Sequence, residues 1–278
     1  MKRQYLSTIL GAVLVAGCDS ASTEPEQADL VVVEAFLFAG EPIDDIHLTE
    51  TVALSDTVEA PPINDASVVL YKNGISYTLV STGDSGYYAY PGDDLSIEVG
   101  DTIGIEISYL NSVATGETVV PDAPIGVGID RDTLFVPEFG FGGGGPPGGG
   151  FNREDSQLAA SWDNPDQLLH YVVIESLEDS AETIIPEDLP RMRSRFRLVA
   201  PPTTNDYHFI NMMELETLGL HVAKVYRVNE EYAQLYENRT QDSRDLNEPP
   251  SNISGGLGVL SAFNSDSVLF VVVREESS

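Results

Sequence analysis

The chain has 278 residues, with 45 acidic against 14 basic side chains, a formal net charge of −31 and 42% hydrophobic residues. That length accommodates two β domains of ordinary size, each with its own core. A surface this acidic repels phosphates, which excludes nucleic acid as a partner. The acids are spread along the chain, so they read as a solvated exterior, with attraction of cations as the sharper alternative.

Residues 1–17 begin with Lys2 and Arg3, run apolar over 6–16 and close on the small residues Ala16 and Gly17, immediately before Cys18. This is the layout of a secretory signal peptide, too short and too one-sided for a stable membrane span. The quartet Val15-Ala16-Gly17-Cys18 resembles a bacterial lipobox, in which the cysteine is acylated and becomes the new N-terminus. Cys18 is the only cysteine, so the rest of the chain offers no disulfide, no thiolate metal site and no cysteine nucleophile. Lipid attachment at Cys18 is therefore the expectation, with more than one acyl chain, since a single chain binds a membrane only marginally. Residues 18–29 are polar, acidic and Pro-containing, and read as a lipidated flexible tether.

Residues 30–124 read as a first all-β domain. The segment 30–38, LVVVEAFLF, is dense in Val and Phe and opens it as a strand; 46–53 alternates Ile46, Leu48 and Val52 with polar partners. Strands are expected at 66–71 and 75–80, joined by Asn73-Gly74, a strong hairpin signal. Asp84-Ser85-Gly86 marks a turn before the aromatic strand 87–90. Further strands are expected at 95–99, 102–109 and 113–120. Turns recurring every eight to twelve residues point to an antiparallel sandwich with no helix. The order NDASVVLY, hairpin, SGYY resembles the transthyretin-like type of immunoglobulin-like domain, with Ala66 and Gly86-Tyr87 at the matching positions; this is an analogy of fold alone.

The segment 121–125 reads as the boundary to a second β domain, 125–278, opening on a strand at 129–136. Residues 139–151, FGFGGGGPPGGGF, form a Gly-rich loop without the helix and Lys that a phosphate cradle needs. It reads either as a surface insertion or as a lid carrying Phe139, Phe141 and Phe151. LAASW, Asp163-Asn164-Pro165 and YVVI resemble the second and third strands of a fibronectin type III-like sandwich, with Trp162 in its core or, alternatively, lining a sugar site. Arg191, Arg193, Arg195 and Arg197 alternate with less polar residues, which places four guanidinium groups on one face of a strand. Such a face must meet acids: the protein's own, those of a ligand or those of a partner. The segment 220–228 alternates as a strand, and Asn229 caps a short helix running to about residue 239, with Glu230 and Glu231 in its favourable first turn. Last strands follow from 252, ending with 267–273.

No catalytic set emerges. The four histidines, His47, His170, His208 and His221, lack metal-ligand spacing, and neither a zinc-protease helix motif nor a nucleophile elbow is present. Asp163, Asn164 and Asp166, or Asp130 and Asp132, offer oxygen ligands for calcium, but Asp-Asn-Pro is equally a turn. No enzyme, no cofactor and no metal site is the expectation.

Taken in order, the lipobox, LVVVEAFL, the Gly-Glu-Pro turn, HLTET, NDASVVLY with SGYY, EEYAQLYENR and the tail PPSNISGGLG resemble the surface lipoproteins grouped as domain of unknown function 4249, over nearly the full chain. The resemblance implies residence at the outer membrane, on the cell surface or its periplasmic face, and an accessory or substrate-capture role beside a TonB-dependent receptor. A structural or adhesive surface lipoprotein is the alternative. It also marks Asn252, Ile253, Gly255, Gly256 and Gly258 as a family signature. From the residues alone, three glycines in four positions signal a bulge or close backbone approach, or else a ligand contact. Two immunoglobulin-like or fibronectin type III-like β-sandwiches with one short helix near the C-terminus are thus expected.

Overall fold

The computed structural model describes residues 30–52, 59–83, 85–136, 157–184, 201–237 and 251–275. The chain is nearly all β. In the first half, β1 (Val31–Phe38), β2 (Ile46–Glu50), β3 (Ser67–Lys72), β4 (Ile75–Ser81), β5 (Tyr87–Ala89), β6 (Thr102–Tyr109) and β7 (Ser112–Val119) follow in order. β1, β2 and β5 pair in one layer, and β4, β3, β6 and β7 in the other, with β4 also pairing β5. Alternation aims Val31, Val33, Ala35 and Leu37 inward to meet Val68, Leu70, Ile103, Ile105 and Ile107 in one core. Asn73 and Gly74 both adopt positive φ, 50° and 83°, as a tight two-residue hairpin needs.

The second half comprises β8 (Ile125–Ile129), β9 (Thr133–Val136), β10 (Gln157–Asp163), β11 (His170–Ser176), β12 (Tyr207–Asn211), a 3₁₀ turn at Met212–Glu214, β13 (Gly219–Arg227), helix α1 (Glu230–Glu237), β14 (Ile253–Ser254) and β15 (Leu257–Arg274). A three-stranded sheet, β12-β10-β8, covers a layer of β11, β13, β15 and β9. Leu158, Ala160, Ile210, Ala223, Phe270 and Val272 fill the core between them.

Three expectations are corrected. Residues 95–99 are not a strand: Leu95 and Ile97 are buried, but the Ile97 carbonyl accepts from the Gly40 N–H and the Ser96 carbonyl from Lys72 Nζ, so the backbone joins no ladder. The single strand expected over 129–136 is two strands in different sheets, because Asp130 turns the chain and accepts from the Ala159 N–H through its carboxylate. The last strand is one continuous element of 18 residues, about 60 Å at 3.3 Å per residue. Its first part pairs parallel with β1, its middle antiparallel with β13 and its end parallel with β9. Residues 253–263 therefore belong to the first half: Ile253, Leu260 and Ala262 lie in its core. The result is one path of paired strands, β11-β13-β15-β1-β2, running through both halves.

Candidate functional site

That continuous sheet has two apolar faces. β1 sends its odd residues into the first core and presents Glu34, Phe36 and Phe38 on the other side. β15 does the same with Phe263, which lies directly opposite Phe38 in the ladder. On β13 the outward set includes Lys224 and Tyr226, and on β11 Tyr171, Val173 and Glu175, with Tyr171 paired to Tyr226 and Val173 to Lys224. Helix α1 lies over this face and contributes Tyr232 and Leu235. These side chains, Lys224 apart, line an open cavity of about 440 Å³. It lies across the seam between the halves, so neither half contains it alone.

Six aromatic rings make most of its wall. Tyr232 meets Phe263 edge-on at 4.8 Å between centroids and Phe36 at 5.7 Å. Phe38 stacks on Phe263 at 5.0 Å and meets Tyr226 at 5.6 Å. Tyr171 lies 6.2 Å from Tyr232. Edge-to-face pairs at these separations add about 0.5–1.5 kcal/mol each beyond simple burial, so the wall is held as a set.

The polar groups sit at the rim. Glu175 pairs with Lys224 at 3.0 Å. The hydrogen bond to Glu175 raises the Lys224 pKa, against the opposing effect of burial, so the ammonium stays charged. Burial likewise pushes the Tyr226 phenol up. Glu41 adds its negative field to both groups. On the opposite rim Glu34 lies 3.4 Å from His47, whose ring stacks on Tyr87 at 4.5 Å. Among the described residues the lining therefore holds two carboxylates, Glu34 and Glu175, with Lys224 beside Glu175.

None of the cavity residues stands out singly in the sequence, because they come from four strands and a helix far apart in the chain. One signal was present. The segment 30–38 is apolar on both faces, which an antiparallel strand with one solvated face is not.

Of the site residues expected from sequence, Cys18 and Arg191, Arg193, Arg195 and Arg197 lie outside the described residues, as does the Gly-rich loop 139–151. Asn252, Ile253, Gly255, Gly256 and Gly258 are described, and sit where β14 hands over to β15. The Asn252 amide copies a neighbouring strand: its Nδ2 donates to the Leu260 carbonyl at 2.7 Å and its Oδ1 accepts from the Leu260 N–H at 2.9 Å. A methyl group on Gly256 would lie 2.8 Å from the Val31 carbonyl oxygen. One on Gly258, at φ +105°, would lie 2.7 Å from the Val33 nitrogen. Each glycine thus lets β15 close onto β1.

Trp162 is buried at 4% exposure, its ring 5.3 Å from that of His170. Its Nε1–H has no hydrogen-bond partner among the described residues. Burial lowers the His170 pKa, and the Arg227 charge adds to this against the raising effect of the Nδ1 hydrogen bond to the Leu168 carbonyl. Asn164 ties the turn after β10 through the Leu168 backbone and the Thr204 carbonyl. Among the described residues no group of three or more His, Cys, Asp or Glu converges as a metal site, and no helix is long and apolar enough to cross a membrane.

A family model described as "Domain of unknown function (DUF4249)" matches residues 20–268. No curated protein matches the sequence. Among solved structures, the chain is similar to the chicken CNTN1 FN1-FN3 domains at 9% identity and a TM-score of 0.17, over 84% of this chain. The chain spans 64% of that structure's length.

Proposed function

We propose, from the premise that the chain belongs to the domain of unknown function 4249 family, that it is a non-catalytic capture subunit, lipid-anchored at the outer membrane through Cys18 and accessory to a TonB-dependent importer. The aromatic cavity across the seam carries this proposal. A preformed, mostly apolar pocket of several hundred Å³ with a few polar groups at its rim is the usual form of a small-molecule site, and this one is about 440 Å³. The anchor is supported by the Val15-Ala16-Gly17-Cys18 quartet, and the importer by the order of motifs shared with the family. The four arginines at 191, 193, 195 and 197 supply the docking face, since in so acidic a chain they are the densest cationic group.

Purification of the tagged full chain from membranes in mild detergent tests this. A β-barrel receptor is expected to accompany it, and to be released when the four arginines are changed to Glu without unfolding the chain. Recovery of the chain in membranes with no barrel partner would refute the importer role. Cys18→Ala should leave the fold intact and abolish membrane retention; a retained variant would refute the anchor.

A structural or adhesive role is favoured by one observation. Tyr207 and Phe209 stand side by side on the outer face of β12, 5.1 Å apart and nearly half exposed, and paired aromatics of this kind are frequent in contact surfaces. Adhesion that is lost on changing both to Ser, with no barrel partner, would establish that role instead.

A further inference from the structure

We infer that the seam cavity takes a small organic cation: an apolar or aromatic body bearing a quaternary or protonated ammonium group. This deepens the capture function proposed above and rests on it. Three observations converge. First, the wall is aromatic, with Phe36, Tyr232 and Phe263 in mutual edge contact, and the face of a Phe or Tyr ring attracts a cation placed over it, more so where water is excluded.

Second, the rim is negative. Glu34 and Glu175 are in the lining, the Glu41 charge acts on the adjacent Lys224, and Glu175 already engages that lysine at 3.0 Å. Among the described residues the lining holds no lysine or arginine, so an anionic ligand would face carboxylates there, with Lys224 beside them already committed to Glu175. Glu34 is largely exposed, so it stays hydrated and accessible at the mouth. Third, the whole chain carries −31, and a field of that sign concentrates cations at the surface and speeds their capture, in a salt-dependent manner.

The test is calorimetric titration of the detergent-solubilised full chain with choline and with its uncharged carbon isostere, 3,3-dimethylbutan-1-ol. Choline is expected to bind about tenfold more tightly, as a partly desolvated cation–π contact implies, and to weaken as salt is raised. Glu34→Gln, at an exposed position, should weaken choline severalfold and leave the alcohol unchanged; Phe36→Leu should weaken choline while unfolding checks that the sheet remains intact. Equal binding of the two probes, or an unchanged choline affinity in Glu34→Gln and Phe36→Leu alike, would overturn the cation assignment while leaving capture standing. Binding of neither probe, with a neutral aromatic such as indole still bound, would overturn it in the same way. If no probe of any charge binds and the cavity variants change nothing, the capture function falls with it.

Discussion

Replacing Gly258 by Ala probes how β15 joins the two halves. At φ +105° an L-residue is strained by about 1–3 kcal/mol before any contact is considered. The new methyl carbon would lie 2.7 Å from the Val33 nitrogen and 2.8 Å from its carbonyl carbon, and closer still to the carbonyl oxygen. These are backbone atoms of β1, paired in register with Gly258, so relief requires the two strands to separate. Overpacking of this kind costs about a further 1–3 kcal/mol. The total centres near 4 kcal/mol, which for a chain of this size lowers Tm by about 8–16 °C at roughly 2–4 °C per kcal/mol. Gly40→Ala is the control, because Gly40 also has positive φ, +76°, but nothing within 4 Å of the added carbon; strain alone costs it about 1–2 kcal/mol. Scanning calorimetry of both variants reads the difference. Equal shifts would refute the claim that close approach of β1, rather than backbone strain, requires glycine at 258.

Asn252→Ala removes the side chain that pairs with both backbone groups of buried Leu260, and two orphaned groups at about 1–2 kcal/mol each should cost about 3 kcal/mol in urea unfolding; a loss below about 1 kcal/mol would show that water replaces the amide. His170 makes stability pH-dependent. Its folded-state pKa is lowered, chiefly by burial, so the unfolded chain binds the proton more readily: its contribution is fully present above pH 6.5 and is lost as pH falls through that value towards the folded pKa. Trp162, the only tryptophan, reports this half by fluorescence. His170→Gln should flatten the decline between pH 6.5 and about 5, above the carboxylate range; an unchanged slope would exclude His170 as its source.

The strands of the first half were legible because alternation and turn chemistry agree there. β6 falls at 102–109 as the alternation of Ile103, Ile105 and Ile107 requires, and the Asn73-Gly74 hairpin has the positive φ that its residues favour. Residues 95–99 misled because burial of Leu95 and Ile97 imitates a strand, while ladder membership depends on which backbone groups find partners. Residues 129–136 misled because a chain can keep its apolar content while switching sheets at Asp130. β12 carries exposed Tyr207 and Phe209, so its outer face gives no amphipathic signal. The cavity was illegible for a different reason. It depends on register between segments far apart in the chain, such as Phe38 with Phe263 and Tyr171 with Tyr226, and nothing local specifies such pairing. The Asn252 to Gly258 signature was legible as a place of close backbone approach, and its geometry now has a named partner for each of Asn252, Gly256 and Gly258.

The way the halves are joined bears directly on what the cavity can do. If each half were a separate sandwich on a linker, a pocket between them would open and close with their relative motion. Here β15 carries its hydrogen bonds from β1 to β13 without a break, so the walls bearing Phe36 and Tyr171 are parts of one sheet. The third wall is held from both sides. Helix α1 follows β13 of the second half, yet Glu231 accepts hydrogen bonds from Thr118 on β7 at 2.6 Å and from Ser261 on β15 at 3.3 Å. Asn229, expected to cap the helix, directs its amide to the Val119 carbonyl at 2.8 Å, while its own carbonyl accepts the first helical N–H from Ala233. Both residues thus fasten the helix to the first half. A site whose walls are fixed before a ligand arrives spends little of the interaction energy on ordering itself, and the aromatic rings that line this one already brace each other. That preorganisation suits the capture role proposed above, in which the few charges at the rim would set the selectivity of the site.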